Sequence, residues 1–180
     1  MVCFFTHICV YSQCLEADII ILVDFSGSEE GNEKHLTQAV REFTQTLPSE
    51  TVQIGIIGFA NSYTIWCPLG GDLNKALNVM AQTKADGGTY ITSALDAVYR
   101  QLDNERQVPK ICILISDGEI SDMNYGMAYL KTMKEGLPLV VYAVQIGGTI
   151  AGYGLLLILT PNVTMSKDLA QALKALDLCP

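Results

Sequence analysis

The sequence predicts an α/β fold, an open and mostly parallel sheet covered by helices on both faces. Short, continuous apolar runs recur along the 180 residues, segments with helical spacing lie between them, and two of the runs end in an aspartate. Ile19-Ile20-Ile21-Leu22-Val23 leads into Asp24, and Ile111-Cys112-Ile113-Leu114-Ile115-Ser116 leads into Asp117. Neither run alternates, as expected of strands buried on both faces. Strands separated by helices imply a largely parallel sheet, and ligands of such sheets bind beyond the carboxyl ends of the strands.

The elements follow in order. Asp18 to Val23 reads as the first strand. A helix from about Asn32 to Leu47 comes next, with Leu36, Val40, Phe43 and Leu47 on one face, and Pro48-Ser49 breaks it. Val52 to Phe59 is the second strand and Tyr63 to Trp66 a short third, antiparallel because only Ala60 to Ser62 separates them. Asp72 caps a short helix reaching about Gln82. Ile91, Leu95, Val98 and Leu102 mark another amphipathic helix, and Lys110 to Ser116 is the fourth strand. A helix from Asn124 to Glu135 is ended by Gly136 and Pro138. Leu139 to Ile146 is the fifth strand. Ile150 to Leu159 is apolar but too short to span a bilayer and reads as a small buried helix. A weak sixth strand around Val163 and a last helix from about Lys167 to Asp177 complete the chain.

Composition agrees with one domain, since 49% hydrophobic content suffices for a single core and no linker or repeat divides the chain. Residues 1–17 are read as an N-terminal segment and 18–180 as the domain. A formal charge of −8 argues against nucleic acid and anionic membrane surfaces as partners. Part of it gathers near the two strand ends, in Asp24, Glu29, Glu30 and Glu33 and in Asp117, Glu119 and Asp122. A bound cation would relieve their mutual repulsion.

Three segments carry the chemistry: Asp24-Phe25-Ser26-Gly27-Ser28, Gly87-Gly88-Thr89, and Asp117-Gly118-Glu119. Singly, each reads as a turn or a helix cap, because Asp, Ser and Thr bond readily to nearby backbone N–H groups. Their coincidence at the ends of buried strands points to a shared site. Asp24, Ser26 and Ser28 can face one point while Gly27 lets the backbone curl. Gly87 and Gly88 allow the turn that presents Thr89, and Asp117 arrives from a neighbouring strand. Carboxylate and hydroxyl oxygens without thiolate or imidazole suit Mg²⁺ or Mn²⁺, with Ca²⁺ as a further candidate, ahead of Zn²⁺. Two carboxylates do not close a cage, so waters and one exchangeable position complete the shell.

Asp-x-Ser-x-Ser, a Thr after two glycines, and an Asp-Gly, in that order, resemble the metal-ion-dependent adhesion site of von Willebrand factor A-type domains, including integrin I domains. The resemblance spans about Asp18 to Leu178. It implies a Rossmann-like sheet of six strands in the order 3-2-1-4-5-6, with the third strand antiparallel at the edge. It also implies that Ser26 and Ser28 bind the metal through their hydroxyls, that Asp24 and Asp117 bind it directly or through water, and that Thr89 joins when a partner docks. The partner would be a protein presenting a Glu or Asp to the open position. Glu29, Tyr63, Tyr90, Glu119, Met123 and Tyr125 are the candidate rim that sets specificity. One departure stands out: Ile91 occupies the place of the family's second threonine, with Thr92 beside it, which bears on the hydrogen bonds behind the metal ligands.

Some extracellular members of that family join their termini by a disulfide, and Cys14 and Cys179 flank the core here. Cys112 reads as a small buried hydrophobe. Met1 to Tyr11 resembles the apolar core of a secretory signal, although no Lys or Arg precedes it and it contains His7; a terminal segment packed on the domain is the alternative. The terminal cysteines point to an extracellular or cell-surface setting, with a cytoplasmic one as the alternative. Asn162-Val163-Thr164 matches the N-glycosylation sequon. No phosphate-binding loop, dinucleotide fingerprint or nucleophile elbow is present, so a non-enzymatic module is expected. The rival readings are an intracellular domain of the same type that recruits clients to a larger complex, and a Mg²⁺-dependent phosphatase-like hydrolase with Asp24 as nucleophile. That last class usually keeps a second Asp where Ser26 stands. The sequence does not set the oligomeric state.

Overall fold

A computed structural model describes residues 16–147, 149–166 and 168–176. Its strands are β1 (Ala17–Asp24), β2 (Val52–Phe59), β3 (Tyr63–Cys67), β4 (Lys110–Ser116), β5 (Leu139–Ile146) and β6 (Val163–Ser166). They form one sheet in the order β3-β2-β1-β4-β5-β6, with only β3 antiparallel to its neighbour. The helices are α1 (Glu33–Thr44), α2 (Leu73–Met80), α3 (Thr92–Leu102), α4 (Met123–Gly136), α5 (Ile150–Leu159) and α6 (Leu169–Lys174). This is the Rossmann-like architecture that the resemblance implies.

Alternate residues of the central strands feed two cores, one on each face of the sheet. Ile19, Ile21 and Val23 meet α1, α2 and α6 through Leu36, Phe43, Leu77 and Leu173. Ile20 and Leu22 meet α3, α4 and α5 through Leu95, Leu130 and Leu156. Both faces of β1 are therefore dry, and its length is fixed by burial along all of Ala17–Asp24.

Two helices differ from the expectation. α1 ends at Thr44 rather than near Leu47: the hydroxyls of Thr44 and Thr46 donate to the carbonyls of Arg41 and Phe43, offering the backbone a local alternative before Pro48. α5 is not a buried helix. Thr149 caps it by accepting from the Gly152 N–H; Gly152, Leu156 and Leu159 are its buried residues, with Leu155 half-buried against the same core. Ile150 is 88% exposed, and Leu157 and Ile158 are exposed too, because α5 lies over the β5–β6 margin of the sheet, where a single layer covers one side of the helix. Cys14 and Cys179 lie outside the described residues, as do Cys3, Cys9 and the rest of the apolar N-terminal stretch. Cys67 and Cys112 are free, buried thiols, and burial pushes the Cys112 thiol up to about 12. Among the described residues no helix is long and apolar enough to cross a membrane.

Candidate metal centre

The strand order reverses direction between β1 and β4, so the loops after these two strands part to opposite faces and leave a crevice at the carboxyl edge. Asp24 is the last residue of β1, level with Phe59 of β2. Val23 pairs with Ile115, which sets Ser116 level with Asp24 and puts Asp117 just beyond. Each aspartate thus reaches the crevice from a rigid strand.

Three loops are stitched together there by backbone hydrogen bonds. The N–H of Gly27 donates to the Gly87 carbonyl at 3.0 Å, joining the first loop to the second. The N–H of Ser121 donates to the Thr89 carbonyl at 2.8 Å, joining the second to the third. Gly87 adopts φ +82 and Gly118 φ +91, where a side chain would be strained. A Cβ on Gly118 would also collide with the Gly152 carbonyl, so the third loop presses directly on the start of α5.

The oxygen donors are ordered by the same network. Asp24 accepts from the Ser26 N–H at 3.0 Å through one carboxylate oxygen and from the Ser116 hydroxyl at 2.7 Å through the other. The Ser26 and Ser28 hydroxyls are 3.0 Å apart. Asp117 accepts from the Glu119 N–H at 2.9 Å. Asp24, Ser26, Thr89 and Asp117 are buried, while Ser28 faces solvent. Burial is the main cause that raises the Asp24 carboxyl above its ordinary range, with the nearby Asp117 charge adding to it against the hydrogen bonds from Ser26 and Ser116. No Lys or Arg pairs with either aspartate among the described residues. Nor do three or more His, Cys, Asp or Glu side chains gather there as a ready metal cluster. The donor set is mixed, and it fits a hard cation because every group in it is an oxygen and two are carboxylates lacking a counter-charge.

Four of the six expected rim residues are exposed: Tyr63, Tyr90, Glu119 and Tyr125. Tyr63 opens β3 level with Phe59 and therefore with Asp24. The other two correct the expectation. Met123 starts α4 on its core side, in the apolar cluster that holds Ile91 and Leu95. Glu29 is folded inward by the 3₁₀ turn Gly27–Glu29 and is 3% exposed. Desolvation, then the Asp24 and Asp117 charges, push its carboxyl up to about 7 against a hydrogen bond from Asn32.

Several residues that hold the site were not legible as such. Asp122 accepts from the N–H groups of Ile91 and Thr92 at 2.7 and 3.0 Å, capping α3 from another element and fixing the Thr89 loop. Ile91 itself is core, and the Thr92 hydroxyl is buried without a hydrogen-bond partner, so Asp122 supplies the hold on this loop that the missing second threonine does not. Asn61 accepts from the Gly88 N–H at 2.8 Å. Gln145, fully buried, donates to the Asp117 and Thr149 carbonyls, both at 2.9 Å. A hydroxyl closing an apolar run was the available signal for Ser116; Asn61 and Gln145 gave none.

Known structures share this architecture at low sequence identity. An aerotolerance-related membrane protein from Bacteroides fragilis superposes with a TM-score of 0.72 at 14% identity, covering 91% of this chain and 98% of that one. The manganese-loaded TRAP protein of Plasmodium vivax gives 0.71 at 20%, covering 89% and 72%. Proximal thread matrix protein 1 from the mussel byssus, with a zinc-occupied MIDAS motif, gives 0.70 at 18%, covering 91% of this chain and 44% of that one. Residues 19–119, more than half of the chain, match the von Willebrand factor type A domain, and the protein belongs to that family.

Proposed function

We propose that this domain is a metal-dependent protein-binding module, in which Asp24, Ser26, Ser28, Thr89 and Asp117 hold one divalent cation and a partner carboxylate completes its shell. The observation that carries the reading is the stitching of three oxygen-bearing loops at one strand edge, around two buried carboxylates with which no Lys or Arg among the described residues pairs. When bound, the cation supplies an electrophilic position for an anionic ligand. Asp24 and Asp117 would bring its charge close to neutral, the Ser26 and Ser28 hydroxyls would add uncharged oxygens, and Thr89 would tighten the second loop against the incoming partner. Mg²⁺ or Mn²⁺ fits this oxygen set best; the manganese and zinc of the two neighbours named above support a site tolerant of several dications. An exposed Tyr63, Tyr90, Glu119 and Tyr125 give a partner surface on which to discriminate.

Hydrolysis is the weaker reading. Ser26, two residues after Asp24, bonds to Ser28 and lacks the titration range of a general acid or base at neutral pH. An extracellular setting is part of the proposal and is tested separately, by peptide mapping of Cys14 and Cys179 under non-reducing conditions. The functional test is retention of protein partners on the immobilised domain in Mg²⁺, repeated in EDTA and with Thr89→Ala. Retention lost in both supports the bridge. Retention indifferent to both, or Asp24-dependent turnover of a generic phosphoester, would overturn it.

A further inference from the structure

α5 exposes apolar surface for which the metal centre has no use. No charged residue interrupts Ile150–Leu159, in a chain of which 17% is charged. Its outward residues are Ile150, Ala151, Gly154, Leu157 and Ile158, spaced i, i+1, i+4, i+7 and i+8, which makes one stripe along the helix. Leu157 and Ile158 are 44% and 57% exposed. A Cβ on Gly154 would meet nothing within 4 Å, so another backbone can come close at the middle of the stripe. Beside it α4 leaves a cleft of about 360 Å³, lined by Met127, Leu130, Ile158 and Leu159. Lys131, Lys134 and Glu135 complete the lining. Neither lysine is ion-paired among the described residues, and two lysines against one glutamate leave the cleft positive on a chain of net charge −8.

We infer that the α4–α5 cleft and the α5 stripe form a docking site for an amphipathic helix of a protein partner, with apolar anchors on one face and carboxylates flanking them. Contiguous exposed apolar surface with a polar rim marks such sites. Helices offer no free edge for a strand to join, so recognition falls to side chains, as when a helix lies in a groove. From Ile150 to Ile158 the stripe rises about 12 Å, enough to meet apolar residues at i, i+4 and i+7 of the incoming helix. Charge selects the flanks: carboxylates on the partner answer Lys131 and Lys134. A second copy docked symmetrically would bring the same two lysines to this face, and an anionic membrane would meet the −8 charge of the whole chain, so the cleft favours an acidic helix over both. The site contains none of the five proposed metal ligands and does not require the ion.

Fluorescence anisotropy of two labelled helical peptides, titrated with the full chain, tests this. Both carry leucines at i, i+4, i+7 and i+11; one flanks them with glutamates and the other with lysines. The glutamate peptide should bind, and the lysine peptide should bind about tenfold more weakly or worse. Ile158→Ser should weaken the glutamate peptide by about tenfold. Lys131→Glu combined with Lys134→Glu leaves the apolar surface in place and should reverse the preference between the peptides. EDTA and Asp24→Ala should leave binding unchanged, so this site and the metal centre fail or stand separately. Equal binding of the two peptides, or a preference that the lysine reversals leave as it was, would refute the inference. Binding of neither peptide refutes it as well; Ile158-dependent cosedimentation with phosphatidylserine vesicles, or an Ile158-dependent dimer in ultracentrifugation, then gives the face to lipid or to a second copy. Should Ile158→Ser fail to fold, the two lysine reversals, at exposed positions, decide alone.

Discussion

β1 carries a fully buried aspartate near each end, and the two are satisfied in opposite ways. Asp18, at the amino end, receives Lys110 at 2.6 Å, Arg106, and the Asn104 amide at 2.9 Å. Asp24, at the carboxyl end, receives a hydroxyl and a backbone N–H and has another carboxylate nearby. Around Asp18 the chain supplies all the counter-charge, and Arg106 and Asn104 also tie down the preceding loop. Around Asp24 the described residues supply only neutral donors. The first arrangement is complete as folded; the second is of the kind completed by an ion from outside.

The largest expected effect comes from breaking the complete end. Asp18→Ala leaves Lys110, itself buried, and Arg106 facing each other without an anion, and should cost about 3–5 kcal/mol in urea denaturation, equally with and without divalent metal. A smaller loss would mean that water reaches the network. At the other end, Asp24→Asn should leave the metal-free protein as stable as wild type or more so, since it removes a buried charge. Its effect should appear only on adding metal: at a hundredfold excess over Kd, the wild type gains about 2.7 kcal/mol and the variant gains none. Equal metal stabilisation of both proteins would remove Asp24 from the site.

This asymmetry was half legible in the sequence. β2, β4 and β5 have the bounds that the sequence predicts, because turn and breaker residues bracket each run: Asn61-Ser62 after β2, Pro109 before β4, Pro138 before β5 and Gly147 after it. The three oxygen-bearing motifs were legible for a similar reason: each is contiguous, so the residues that share a loop also share a segment of sequence. Contacts across the chain were hidden. Ser116 reaches Asp24 from 92 positions away, Asp122 reaches Ile91 from 31, and Gln145 reaches Asp117 from 28. Glu29 was misjudged because a carboxylate beside Ser28 and Glu30 looks like a solvated loop, and only the direction of a single turn buries it. α5 was misjudged the other way: apolar composition signals burial only where a second layer is available.

Asp122 gives an intermediate case, an aspartate satisfied by backbone amides at a helix start. Asp122→Ala removes both acceptors from the first turn of α3 and should cost about 1–2 kcal/mol in thermal denaturation. Because the same contact fixes the Thr89 loop, metal-dependent partner retention should fall as well, while Asp122→Asn, which keeps one acceptor, should recover much of both losses. A stability loss without any loss of retention would separate the helix cap from the site.

The smallest effect is expected where the charge is not buried at all. Arg100 and Asp96 form an i,i+4 pair on α3 at 2.8 Å, with Arg100 largely in solvent. Arg100→Gln also removes a charge from an ion pair, as Asp18→Ala does, but water replaces the lost partner. The cost should be about 0.3–0.5 kcal/mol and should shrink further in high salt as the pair is screened. Asp96 keeps its second partner, the Tyr129 hydroxyl at 2.6 Å, so the helix surface retains a fixed point after the substitution. If Arg100→Gln cost as much as Asp18→Ala, the contrast between the two ends of β1 would owe nothing to burial, and the absence of a cation near Asp24 would lose its meaning as a sign of a metal.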